Sequence, residues 1–131
     1  MVEWFTDRCD AGRQLGAALP EGLSDPHAVV LGLPRGGVPV AHEVAETLGA
    51  TLDVLVVRKL GVPGQDELAM GAVASGDALV LNDDVVARAG VTEAELQRVI
   101  GRERAALIER EQRYRRGRPP VPVEGRPVVL V

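Results

Sequence analysis

The segment richest in chemistry is Val29-Val30-Leu31-Gly32-Leu33-Pro34-Arg35-Gly36-Gly37-Val38-Pro39-Val40-Ala41. A short apolar run, rich in β-branched residues, passes through Pro-Arg-Gly-Gly and leaves as a helix. Gly36 and Gly37 let the backbone approach a ligand closely or take up positive φ. The helix that follows is expected to aim unpaired N–H groups and the positive end of its dipole at the same spot. A turn of this kind cradles an anion, and phosphate is the usual occupant. Arg35 adds a fixed positive charge inside the loop.

A second basic position follows at Arg58-Lys59. The chain has 14 arginines but a single lysine, Lys59. A lysine is a compact ammonium on a flexible stem and suits a loop reaching for phosphate, whereas arginine is a planar fork. His27 and His42 have no partner at metal-ligand spacing. Cys9 stands alone and reads as an inert thiol. The basic run Arg110–Arg118 is interleaved with Glu109 and Glu111, four residues before Arg113 and Arg115, and reads as a solvated helix face.

These groups must be held by a small scaffold. The 131 residues make one domain, and apolar residues at 46% with aromatics at 2% require an aliphatic core. The net charge of −4 and so few aromatics argue against a nucleic-acid partner, which asks for a basic face or stacking platforms. One cysteine excludes an internal disulfide and fits a reducing compartment. No apolar run reaches the ~20 residues of a membrane span. Val2, Glu3 and Trp4 do not read as a signal peptide. A cytoplasmic protein with no membrane partner is expected.

The periodicities predict a helix over 6–19, capped by Thr6 or Asp7, with Ala11, Leu15, Ala18 and Leu19 as its buried stripe. A buried strand over 28–33, a helix over 38–48 ending at Gly49 and a strand over 52–57 make a βαβ unit with parallel strands. Residues 58–67 read as a loop on their Gly, Pro and Gly. Strands 70–74 and 78–81 flank Ser75-Gly76-Asp77 as a hairpin. Asn82-Asp83 caps a short helix ending at Gly90. Thr92 and Glu95 form a capping box for a helix reaching about Arg115, buried along Leu96, Val99, Ile100, Ala106, Leu107 and Tyr114. After a Pro-rich connection comes a third buried strand, 128–131. The expected fold is a three-layer α/β domain with a parallel core sheet. It is a single partial domain over 1–131, with a hood or hairpin insertion at 58–82.

The stretches LGLPRGGVPVA, VVRKLGVPGQDELAMGAVA, DRCDAGRQLGAAL and YRRGRPPVPVEGRPVVLV span nearly the whole chain. In them the chain resembles the type I phosphoribosyltransferases, and among these the phosphoribosyltransferase-domain proteins of bacteria. The resemblance implies transfer of a 5-phosphoribosyl group from phosphoribosyl pyrophosphate (PRPP) to a nitrogenous acceptor, releasing pyrophosphate, with Mg²⁺ carried by the pyrophosphate of PRPP. It makes Pro34, Arg35, Gly36 and Gly37 the pyrophosphate loop, with a cis peptide expected at Pro34–Arg35. It makes Arg58 and Lys59 the catalytic basic pair and residues 60–67 part of a mobile hood. As the ribose C1–O bond breaks with oxocarbenium character, charge grows on the leaving diphosphate. Fixed N–H dipoles, cations and a metal ion stabilise it there, and no side-chain nucleophile is needed.

The chain departs from the family in one respect. Two adjacent acids and a Gly/Thr-rich loop, which hold the ribose hydroxyls and 5-phosphate, should follow the strand at 128–131. Asp83-Asp84 cannot replace them, since they follow a different strand and read as a helix start. The chain alone is therefore expected to bind pyrophosphate weakly and to turn over little. The last strand, expected in mid-sheet, would leave an apolar edge bare. A longer product would complete it, or a partner would cover it, and self-association into a homo-oligomer is expected. The alternative reading is a non-catalytic phosphate- or pyrophosphate-binding or regulatory module completed by a partner chain.

Overall fold

Val29, Val30 and Leu31 have apolar neighbours on both sides and are buried throughout. They form β1 (Val29–Gly32), the middle of a three-stranded sheet, in the computed structural model, which describes residues 4–131. Both partners, β2 (Thr51–Val54) and β6 (Val128–Leu130), run parallel to it, with Val30 opposite Leu52 on one side and Val129 on the other. Among the described residues β6 is an edge of this sheet, the bare edge expected, and it is not buried as expected: Val128 and Leu130 are exposed because no strand covers their outer side. The connection from β1 to β2 is helix α2 (Gly37–Leu48), which stops at Gly49. Its Ala41, Val44, Ala45 and Leu48 close over Val30, as the helical spacing requires. Burying each of the larger aliphatics contributes about 1.5–3 kcal/mol.

Helix α1 (Arg8–Ala18) is capped by Asp7, whose carboxylate accepts the Asp10 N–H at 2.8 Å. Its packed face is only partly the expected one, with Leu19 against the core cluster but Leu15 not buried. Leu15 is 40% exposed, and the buried residues are Gly12 and Gly16. The contact is one of backbone against helix α2. A Cβ on Gly12 would stand 2.7 Å from the Val40 carbonyl oxygen and from the Glu43 Cβ, and one on Gly16 would stand 2.7 Å from the Thr47 hydroxyl. Hydropathy scoring misses such a stripe because the residues that make it carry no side chain.

The return to the sheet is held by polar bonds. The Asp53 carboxylate accepts the Val121 N–H at 3.0 Å. Arg126 donates to the His27 and Pro122 carbonyls. Together these fix the Pro-rich segment that delivers β6 beside β1. Met1–Leu55 and Gly117–Val131 thus make one compact unit, and Val56–Arg116 makes a second.

The second unit begins where Val56 exchanges hydrogen bonds with Ser75, its N–H going to Ser75 Oγ and its carbonyl accepting the Ser75 N–H. Residues 58–67, expected as a loop, are mostly strand. β3 (Val57–Val62) turns at Pro63-Gly64 into β4 (Gln65–Ala74), and β5 (Ala78–Leu81) completes an antiparallel sheet of order β3-β4-β5. Proline presets φ for one turn position, and Gly64 supplies the φ of 79° that the next demands, so the two breakers make a hairpin tip. The second hairpin, about Ser75-Gly76-Asp77, is as expected. Helix α3 (Asp83–Arg88) is capped by Asn82. Helix α4 (Glu93–Arg115) carries the Thr92/Glu95 capping box and buries Leu96, Val99, Ile100 and Leu107. Its i,i+4 pairs Glu109–Arg113 and Glu111–Arg115 are both formed.

Candidate functional site

The turn from β1 into α2 is Leu33-Pro34-Arg35-Gly36-Gly37, and the Pro34–Arg35 peptide is cis, as the resemblance implied. Gly36 is the N-cap of α2, with φ −66° and ψ −28° and no side chain capping the helix. The amides on offer differ from those expected. The Gly37 N–H donates to the Leu33 carbonyl at 3.0 Å and the Val38 N–H to the Arg35 carbonyl at 3.4 Å. Pro39 has no N–H. The first turn of the helix is therefore spent internally. Arg35 and Gly36 are left as the residues whose N–H groups have no protein acceptor among those described. Such groups call for water or a ligand.

The two glycines do different work. A Cβ on Gly37 would lie 2.6 Å from the Val131 carbonyl oxygen, which also accepts the Leu33 N–H at 2.7 Å. Gly37 thus lets the loop pack against the end of the third strand. A Cβ on Gly36 would lie 3.1 Å from Arg8 Nε and 3.7 Å from its Cζ. The guanidinium of Arg8, at the start of α1, therefore lies over the loop. The expected site residues did not include it. The signal was the spacing Arg8, Gly12, Gly16, one residue per helical turn on a single face. Neither Arg8 nor Arg35 has a carboxylate partner among the described residues.

Arg58 and Lys59 lie on β3 in the second unit. Arg58 Nε donates to Glu103 Oε2 on α4 at 2.9 Å. Lys59 Nζ stands 3.9 Å from the Glu67 carboxylate, a contact between exposed groups that adds little. An open cleft of about 480 Å³ in this unit is lined by Arg58, Lys59 and Arg102 together with Asp66, Glu67 and Glu103. Three cations against three carboxylates leave it near neutral. The loop of the first unit has no such counter-charge among the described residues.

The carboxyls of Asp10 and Glu95 lie below their ordinary values, and both serve helix ends. The Thr6 N–H, with the Gln14 amide, holds Asp10 low, and the Thr92 N–H holds Glu95 low. Among the described residues no group of three or more His, Cys, Asp or Glu is placed to hold a metal ion, and no helix is long and apolar enough to cross a membrane.

No protein-family model matches the chain. Two Mycobacterium tuberculosis proteins, from strains CDC 1551 / Oshkosh and H37Rv, are each 54% identical to it over 130 residues and carry the name "Putative phosphoribosyl transferase". The match covers 99% of this chain and 29% of theirs. The crystal structure of TT1426 from Thermus thermophilus superposes with a TM-score of 0.80 at 48% identity, over 98% of this chain and 61% of that one. Nearly every residue described above thus has a counterpart in proteins named for phosphoribosyl transfer, and the chain spans less than a third of their length.

Proposed function

We propose that this chain supplies the diphosphate-binding part of a type I phosphoribosyltransferase, whose donor is PRPP and whose acceptor is a nitrogenous base. The observation that supports this best is the pair of amides, Arg35 and Gly36, with no acceptor among the described residues, beside an Arg35 charge that no carboxylate among those residues neutralises. In the reaction an acceptor nitrogen lone pair forms the new bond to ribose C1. The C1–O bond breaks, its electron pair stays on the diphosphate, and the acceptor loses a proton. The loop's contribution is to hold donors where that charge appears, fixed before the reaction begins. Mg²⁺ would be carried by the pyrophosphate of the donor and would help neutralise the charge that develops there. Arg58 and Lys59 enter the proposal from the motif resemblance, as cations for the same leaving group.

Titration calorimetry of the 131-residue chain with magnesium pyrophosphate tests the reading. Saturable binding is expected, weakened about tenfold in Arg35→Ala, in line with a charge-assisted hydrogen bond. No binding by the parent chain, or equal binding by the variant, overturns it.

Binding without turnover is a second reading, favoured by the Arg58–Glu103 pair, which already engages one of the two expected catalytic cations. Release of pyrophosphate from PRPP in the presence of nitrogenous acceptors separates the two: acceptor-dependent release supports transfer, and binding with no release supports the module.

A further inference from the structure

We infer that Arg8 is a second cation of the diphosphate loop, placed there by the glycine face of α1, and that it tilts the loop toward diphosphate over monophosphate. This deepens the proposed function and rests on it.

The placement follows from packing. Gly12 of α1 meets Val40 and Glu43 of α2, and four residues later Gly16 meets Thr47. The two helices therefore run side by side in the same direction. One turn earlier on α1 is residue 8, and the matching turn before Val40 is residue 36. The Arg8 guanidinium duly lies against Gly36, with Nε 3.1 Å and Nη2 3.5 Å from where a Cβ would stand. Contact at Gly12 and Gly16 leaves α1 little room to slide, so Arg8 is delivered by backbone fit.

Its charge has no other partner among the described residues. Arg8 is the first residue of its helix, where a positive charge opposes the helix dipole. No carboxylate among the described residues pairs with it, and it makes no hydrogen bond there. A long cation spends rotamer entropy when it is laid along a surface, and here the surface is a bare glycine whose own N–H is unengaged. An anion that accepts from the Gly36 amide would meet this guanidinium as well. Two cations at one loop, the Arg8 fork laid against Gly36 and Arg35 next to Gly36 in the chain, suit a ligand with two phosphoryl groups better than a single phosphate.

The experiment is calorimetry of the full 131-residue chain with pyrophosphate and, separately, with inorganic phosphate. The variants are Arg8→Ala, Arg8→Lys and Arg13→Ala. Arg13 is the charge control, on the same helix and bridged to Glu43 at 3.9 Å. Arg8→Ala is expected to weaken pyrophosphate about tenfold and phosphate by less than about threefold, with Arg8→Lys in between and Arg13→Ala near the parent. Equal losses in Arg8→Ala and Arg13→Ala, with the parent binding normally, overturn the inference and leave the proposed function standing. A proportional loss for both ligands overturns the selectivity claim. If the parent binds neither ligand, the underlying reading falls and this inference with it. Arg8 is exposed, so its variants are expected to fold, and unchanged circular dichroism checks that.

Discussion

Arg58 Nε donates to Glu103 Oε2 across 2.9 Å, tying strand β3 to helix α4 over 45 residues of sequence. Glu103 is the less exposed partner, at 13% against 35% for the arginine side chain. Arg102 stands 3.6 Å from its other oxygen. The pair lies between the weak surface bridge and the fully buried one. Arg58→Ala is expected to cost about 1–2 kcal/mol on that scale, and Glu103→Gln less, because the amide keeps an acceptor oxygen. Urea unfolding measures both, and a double-mutant cycle isolates the pair. A neutral Arg58→Ala would show that the contact is incidental.

One substitution made at two helical glycines should give opposite signs. Gly101 in α4 faces open space, so Gly101→Ala is expected to stabilise by about 0.5–1 kcal/mol through helix propensity. Gly12→Ala gains the same propensity but drives its methyl into the Val40 carbonyl oxygen. Overpacking of that kind costs about 1–3 kcal/mol, so a net loss is expected. Thermal or urea midpoints decide it, and two shifts of the same sign would contradict the packing described.

The adjacent glycines of the loop should also separate. Gly36 has an ordinary helical φ, and the atom an added Cβ meets first belongs to the mobile end of Arg8. Gly36→Ala is expected to keep the fold within about 0.5 kcal/mol of the parent, the usual range for a substitution that strains nothing. It should nevertheless weaken pyrophosphate binding by displacing that guanidinium. Gly37→Ala meets the Val131 carbonyl oxygen and is expected to lower stability. Denaturation and calorimetry on the two proteins give the comparison, and loss of stability in Gly36→Ala would refute this division of roles.

Acid should loosen α4 at its N-terminus. The folded Glu95 carboxyl is held below its ordinary value of 4.5, chiefly by the Thr92 N–H. A lowered folded value means that the stabilisation is complete above the unfolded pKa and is lost as pH falls through the folded one. Helicity followed by circular dichroism from about pH 6 to about pH 2 should show this loss below about pH 4.5, and Glu95→Gln should remove that part of the slope. Asp10 adds a second contribution of the same sign from α1, starting below 3.8. An identical acid profile in Glu95→Gln would exclude the capping box as the source.

Much of this was legible in the residues. The aliphatic spacing of Ala41, Val44, Ala45 and Leu48 gave α2, and Thr92 with Glu95 gave the start of α4, because both signals are local. The Pro34–Gly37 turn was legible for the same reason. What escaped was encoded by absence or by partners far along the chain. Gly12 and Gly16 pack because they lack side chains, while the Leu15 that looked buried is turned outward. Arg8 became visible only once that face was known. Gly, Pro and Gly in 61–64 suggested a loop, yet the strand pairing of Arg58 with Val73 and of Lys59 with Ala72 outweighs local preference. The amides of Gly37 and Val38 are consumed within the turn, which spacing alone could not reveal.

The solitary lysine has a practical corollary. Lys59 is half exposed, but Leu60, on the far side of its scissile peptide, is wholly buried and paired with β4. A protease that cuts only after lysine has a single target in these 131 residues and can reach it only when β3 peels from its neighbour. With protease in excess, so that cleavage outpaces reclosing, the rate of that one nick counts the openings of β3.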